Sequence, residues 1–264
     1  MGCQVGRTLW VSRGSPRTAR PTIGSPGRVR MAGETVKCEA ICLDVRPWSR
    51  TSHVVSWLTP HGRIVTLVKG AVRPKSAFLG QYDLNYTCEL VYYARSRGEL
   101  HALRECAPVC LREELRGDYR ALALAGHFRR LAADFAPAGP DCAAWQASLA
   151  DALDRLCRRR LSSAEAVGEM LRFELAVLAL MGLRPELEAE SGAFALRGER
   201  RMPVDPEVAA YLRDPTRPVE NVRIPLDAAR AIGVFYQFHL DCASDVRRTV
   251  LGMICKKQEK QGDR

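Results

Sequence analysis

The 264-residue chain contains no run of 18 apolar residues and no secretory apolar segment, so no part of it reads as a membrane-spanning helix. It also lacks G-x4-G-K-[ST], G-x-G-x-x-G and G-x-S-x-G. Phosphate-cradling loops and strand-to-helix nucleophile turns of those kinds are therefore not encoded. Its histidines, His53, His61, His101, His127 and His239, never fall at H-x3-H or H-E-x-x-H spacing, and each reads as a surface or interface residue. The acidic groups Glu113–Glu114 and Glu186, Glu188 and Glu190 read as ordinary helix or loop carboxylates. With no nucleophile–base pairing visible, the sequence is not that of an enzyme, and no cofactor is expected.

Ten cysteines occur, none at C-x2-C spacing. Cys38/Cys42 and Cys106/Cys110 are C-x3-C pairs that strand pairing could bring together around zinc. Two residues four apart on a strand are about 13 Å apart, too far for one chelate unless the strand bends. Core or half-buried reduced thiols are the expectation, and no metal site.

Acidic residues are missing altogether from positions 1–30, which hold six arginines among Pro, Gly, Ser and Thr. Such a segment cannot bury enough apolar surface to offset its ordering entropy. It reads as a disordered basic extension, or as sequence ahead of a true start at Met31; Pro16, Pro21 and Pro26 argue against a helical targeting peptide. Residues 31–110 hold ten basic and seven acidic residues, and residues 111–264 hold 24 and 23. A net charge of +10 thus resolves into a modestly basic front and a nearly neutral back. A basic balance favours polyanionic partners and says nothing about fold.

The front has period two. Strands are expected over 36–43, 53–58, 63–69, a long bending run 82–95, and 99–106, with a Pro60–His61–Gly62 hairpin turn. Five strands in about 75 residues with short connections fit a small closed barrel of the OB kind; a five-stranded SH3-like barrel shares the signature. From residue 111 the period becomes helical. A helix over 111–135, broken near Gly117, carries Leu122, Ala125, Phe128 and Leu131 on one face. A second runs from Pro140–Asp141 to Leu161, and a third from the Ser162–Glu165 capping box to Met181, before Gly182. Residues 183–203 are irregular, Asp205–Pro206 opens a short helix, and further helices are expected over 226–240 and 244–254. The fold class is α+β: residues 31–110 an N-terminal five-stranded OB-fold barrel, residues 111–264 an all-helical domain.

The barrel's basic residues fall at strand ends and connections: Arg46 and Arg50 after the first strand, Arg63 after the hairpin turn, and Lys69, Arg73 and Lys75 around Pro74. Cationic loops at one side of a barrel can track a nucleic acid backbone, and aromatic side chains beside them can stack on bases. Trp48, expected in a loop between Pro47 and Ser49, either folds over the barrel end or awaits a partner; Trp57 reads as core.

The stretch WLTPHGRIVTLVKGAVRPKSAFLGQYDL at 57–84 resembles the RecO family of bacterial recombinational repair proteins through Leu58, Thr59, Gly62, Lys69, Gly70, Ala71, Arg73, Lys75 and Ser76. LVYYARSRGELHALREC and FYQFHLDCASDVRRTVL extend the resemblance over about 34–254. It implies an OB-fold front, a helical back, and a DNA repair and recombination mediator in the bacterial cytoplasm and nucleoid. Such a mediator binds single- and double-stranded DNA and anneals complementary strands. The implied partners are RecR and the C-terminal acidic tail of single-stranded-DNA-binding protein, with RecA loaded onto coated strands. By the same analogy a helical-domain groove would take that tail, with Arg129, Arg130 and Arg172 as candidates for its basic rim. The chain departs from the family at 184–203, where many members carry two C-x2-C pairs and this sequence has no cysteine. A plain hairpin around Ser191–Gly192 and Arg197–Gly198 is expected in their place. The alternatives are a non-enzymatic scaffold whose barrel binds another protein, and an RNA-binding barrel.

Overall fold

The computed structural model describes residues 33–95, 100–139, 142–187, 193–195, 201–219, 221–240 and 245–255. The expectations for residues 1–30 and for the turns at 191–192 and 197–198 lie outside them. Residues 32–264 form one compact unit.

Five strands make the front: β1 Gly33–Ser49, β2 Ser52–Thr59, β3 Gly62–Val68, β4 Thr87–Arg95 and β5 Leu100–Cys110. They pair in the order β1-β2-β3-β5-β4, with β4 returning to β1 to close the barrel. This is the OB-type arrangement. All pairings are antiparallel except β3–β5, which is parallel and spans Val65–Leu67 against Leu100–Ala102.

The long bending strand is β1, not the run at 82–95. It shifts register between Cys42 and Asp44 and again between Pro47 and Ser49, and bulges of this kind turn one strand around a barrel corner. Residues 82–86 are not strand: Asn85 takes φ 69, Tyr86 N bonds Asp83 O at 3.1 Å, and Cys42 N bonds Tyr86 O at 2.9 Å. The inner face gathers Cys42, Val55, Trp57, Val68, Cys88 and Leu90, and Trp57 Nε1 donates to Thr66 Oγ1 at 2.8 Å. Ile41, Leu43 and Leu58 point the other way, into the core of the helical half.

That half begins with a 3-10 turn Glu113–Gly117, then α1 Tyr119–Phe135, α2 Ala143–Cys157 and α3 Ser163–Leu180. Next come the short pair β6 Phe194–Ala195 and β7 Arg201–Met202, then α4 Pro206–Arg213, α5 Arg223–Leu240 and α6 Asp245–Cys255. Both halves of the Ser162–Glu165 capping box form, and Asp205 accepts from Glu207 N at the start of α4. The apolar face of α1 is Ala121, Leu124, Ala125, Phe128, Leu131 and Ala132, whereas Leu122 is 49 % exposed. The expected stripe was one residue out of phase at its start.

His127 is not at the surface. It is buried on α1, and Glu174 of α3, fully buried, takes its Nε2 at 2.9 Å and Arg247 of α6 through both Nε and Nη2 at 2.8 Å. Three helices are thus joined at one carboxylate. Burial alone would raise the Glu174 pKa; the Arg247 charge and the His127 hydrogen bond outweigh it and hold the group at about 2. A depressed carboxyl stabilises the fold fully above its ordinary value of 4.5, and that contribution is lost as pH falls toward about 2. Glu174→Gln leaves Arg247 buried without a counter-charge and should cost about 3–5 kcal/mol in urea denaturation near neutral pH. The gap to the unsubstituted chain should narrow as pH falls below 4.5.

Candidate nucleic-acid interface

Cations gather in two places on the barrel. The first is the β1–β2 turn together with the loop leaving β3. Gly70 N bonds Ser52 Oγ at 3.2 Å and Val72 N bonds Thr51 O at 3.4 Å, so the two connections lie side by side. Gly70, at φ 67, turns the chain, Arg73 N returns to Gly70 O at 3.1 Å, and Ala71 is buried in the barrel core. Pro74 cannot donate to a ladder, so the chain continues in turns rather than strand. Arg50, Lys69, Arg73 and Lys75 are thereby all presented at one end of the barrel, all exposed. Phe78, Tyr82 and Tyr86 of the same loop pack on the barrel core, and Tyr82 Oη meets His53 Nδ1 at 2.8 Å.

Trp48 and Arg46 are not in a loop. Both belong to β1, because β2 pairs with it as far as Ser49↔Ser52 and leaves only a two-residue turn. Trp48 sits at the second bulge, without a partner in the β2 register, and is 63 % exposed. A large aromatic so placed is costly to leave in water, and it stands between Arg46 and Arg50 in sequence.

The second group is Arg46 and Arg63, on the outer face of β1 and β3. They line a cavity of about 510 Å³ against α1, which contributes Gly126, Arg129, Arg130 and Ala133. Arg63 donates to Ala133 O and Arg129 to Leu43 O. Arg46 pairs with Asp44, and Arg130 with Asp134 at 2.7 Å. Desolvation lowers the Arg129 pKa, against smaller raising effects of Cys42, Asp44 and Asp83. The six cations expected along one barrel edge therefore stand as two clusters, and β3 joins them. Arg63 and Lys69 are six residues apart, roughly 20 Å of strand.

The three residues expected to rim a peptide groove are not brought together. Arg129 and Arg130 face the barrel, whereas Arg172 lies on α3, pairs with Glu169 and is near Asp214 after α4. A smaller pocket of about 140 Å³ lies among α3, α4 and α5, lined by Leu175, Leu187, Leu212 and Ile232 with Arg184 and Arg213. No sequence spacing pointed to it or to the cavity, since both depend on elements distant in the chain.

Among the described thiols, Cys42, Cys88 and Cys142 are buried and the others half-buried. Cys38 and Cys106 flank Leu90 across the β1–β4–β5 ladder, and Cys88 and Cys106 both reach Gln81 O. Burial pushes Cys38 up to about 11, and the Cys106 hydrogen bond, then burial, pushes Cys88 up. Among the described residues no group of three or more His, Cys, Asp or Glu is placed to hold a metal ion, and no helix is long and apolar enough to cross a membrane.

Residues 31–111 match the family model described as Recombination protein O N terminal. The front of the chain is thus similar to the RecO family, a family of DNA repair and recombination mediators without enzymatic chemistry. No curated protein matches the chain.

The β2–β3 turn fixes how the barrel meets the helices. Thr59 Oγ1 donates to Gly62 O at 2.8 Å, and Gly62, at φ 127, lies so close to the loop after α1 that a Cβ would fall 2.7 Å from Ala138 O. Gly80, at φ 75, has open space around it. Gly80→Ala should therefore lose only the backbone strain of about 1–3 kcal/mol. Gly62→Ala should lose measurably more in the same urea titration.

Proposed function

We propose that the chain is a DNA-binding recombination mediator whose contact surface is the cationic barrel end. One observation carries the reading: two connections, hydrogen-bonded to each other, present Arg50, Lys69, Arg73 and Lys75 together, with Trp48 exposed on the adjoining strand. The cations neutralise backbone phosphates, and Trp48 offers a face for an unstacked base, the combination by which barrels hold single strands. Phosphate contacts carry little sequence information, so binding is general. With the charge of two strands lowered, complementary strands can approach and base pairing supplies the drive; duplex DNA binds through the same phosphates. No covalent step is required.

The finer roles follow the family: annealing, partnership with RecR, and loading of RecA onto strands coated by single-stranded-DNA-binding protein. For the acidic tail of that protein, the pocket among α3, α4 and α5 is favoured over the Arg172 surface. It sets Arg184 and Arg213 beside Leu175, Leu212 and Ile232, charges for carboxylates next to an apolar floor for a terminal aromatic residue.

Arg73→Glu with Lys75→Glu should weaken binding of several unrelated labelled oligonucleotides alike. For every phosphate no longer neutralised, the dependence of log affinity on log salt should flatten by about 0.7. Unchanged affinity would remove the barrel end from the account, and a marked preference for ribose over deoxyribose would favour the RNA-binding alternative. Trp48→Ala should reduce single-strand affinity by about 1–3 kcal/mol, the range for one stacked base. It should leave the urea midpoint nearly unchanged, because the side chain is 63 % exposed.

A further inference from the structure

The cavity between the barrel and α1 holds charge in an unusual way. Surface arginines are commonly neutralised by a carboxylate, as Arg46 is by Asp44 and Arg130 by Asp134. Arg63 and Arg129 instead donate to backbone carbonyls, of Ala133 and Leu43. A carbonyl fixes a guanidinium in place without cancelling its charge. Four lining arginines against two lining aspartates leave the cavity cationic. Arg129 Nε is buried and has no hydrogen-bond partner, and leaving such a donor unmet is costly. The fold therefore maintains positive charge here at a desolvation cost; Arg129 Nε is itself closed to solvent, so what the cavity offers an anion is the charge of Arg63 and Arg129 rather than that donor.

Three features identify the anion. The cations are spread over β1, β3 and α1 rather than focused on one point, which suits a ligand with charge at every step. Ile64, Val65 and Ala133 provide apolar surface between them. The set is also linked by β3 to Lys69, roughly 20 Å away, and by the end of β1 to Trp48 and Arg50.

We propose that this cavity continues the nucleic-acid path, so that a single strand crossing the barrel end runs along β3 into the seam, where Arg63 and Arg129 take its phosphodiesters. The inference rests on the function proposed above and adds the helical half to the binding surface. Arg129 then serves DNA, and an acidic peptide is not the occupant.

Gly126 permits a test that spares the fold. It lies one helical turn before Arg129 and Arg130, lines the cavity, and a Cβ there meets nothing within 4 Å. Gly126→Glu places a carboxylate among the arginines; Gly126→Gln places the same bulk without charge. Both also replace a helix-weakening glycine. In the full chain, fluorescence anisotropy with labelled oligothymidylate should show Gly126→Gln within about twofold of the unsubstituted protein. Gly126→Glu should bind about tenfold more weakly, with a salt slope flatter by about 1.4, equivalent to two phosphates.

Equal affinity of the two variants, or an equal loss in both, would overturn the proposal. So would a Gly126→Glu protein that keeps oligonucleotide affinity and loses a labelled acidic peptide. If Gly126→Glu is silent while Arg73→Glu/Lys75→Glu is not, only this extension falls. If both are silent, the DNA-binding reading falls with it.

Discussion

Where the chain leaves the barrel and enters the helices, Arg112 adopts a left-handed conformation, φ 51, and turns its guanidinium inward with its side chain 3 % exposed. It donates to Asn85 O at 2.7 Å and Thr87 Oγ1 at 2.9 Å on the barrel side, and pairs with Asp154 of α2 at 2.7 Å on the other. A non-glycine residue in this region carries strain, and the site persists because three partners over-determine it. Gln146 Nε2 on Glu39 O and Cys142 N on Pro60 O add further fixed points. With the two halves joined this way, the outer face of β1 and β2 becomes core: Ile41, Leu43 and Leu58 are buried among helices rather than in the barrel. The seam also sets α1 at the distance from β3 that leaves a cavity instead of a packed interface.

Much of the fold was legible from local chemistry. The period of two gave the strands, the change of period at 111 gave the helices, and Ser162, Asp205 and Pro206 marked helix starts with groups whose hydrogen bonds are local. The failures have a common cause. β1 runs to Ser49, past the expected end at residue 43, because its far half is held by β2, a tertiary fact. Residues 82–86 look like strand but are turned by Asn85 and tied to Cys42. His127, one polar residue on an amphipathic helix, is buried only because Glu174 and Arg247 arrive from two other helices.

The candidate site divides the same way. The cluster of Arg50, Lys69, Arg73 and Lys75 was readable because turn residues place it. The association of Arg46 and Arg63 with Arg129 and Arg130 was not, because it joins positions more than 60 residues apart. What distinguishes these arginines is also invisible in sequence: whether a guanidinium is answered by a carboxylate or by a carbonyl decides how much field it projects into solvent.

Among the described residues, β3 meets β5 through a parallel seam of three residues on each strand, whereas it pairs with β2 along seven. β3 is thus mechanically a member of a hairpin more than of a ring. The strand that links the two cation clusters is held along its length by β2 and at its start by the helical half, where Gly62 packs on the loop after α1 and Arg63 donates to Ala133 O. Because the residue that opens β3 leaves no room for a Cβ against that loop, the spacing of the two cation clusters is set by the helices as much as by the sheet.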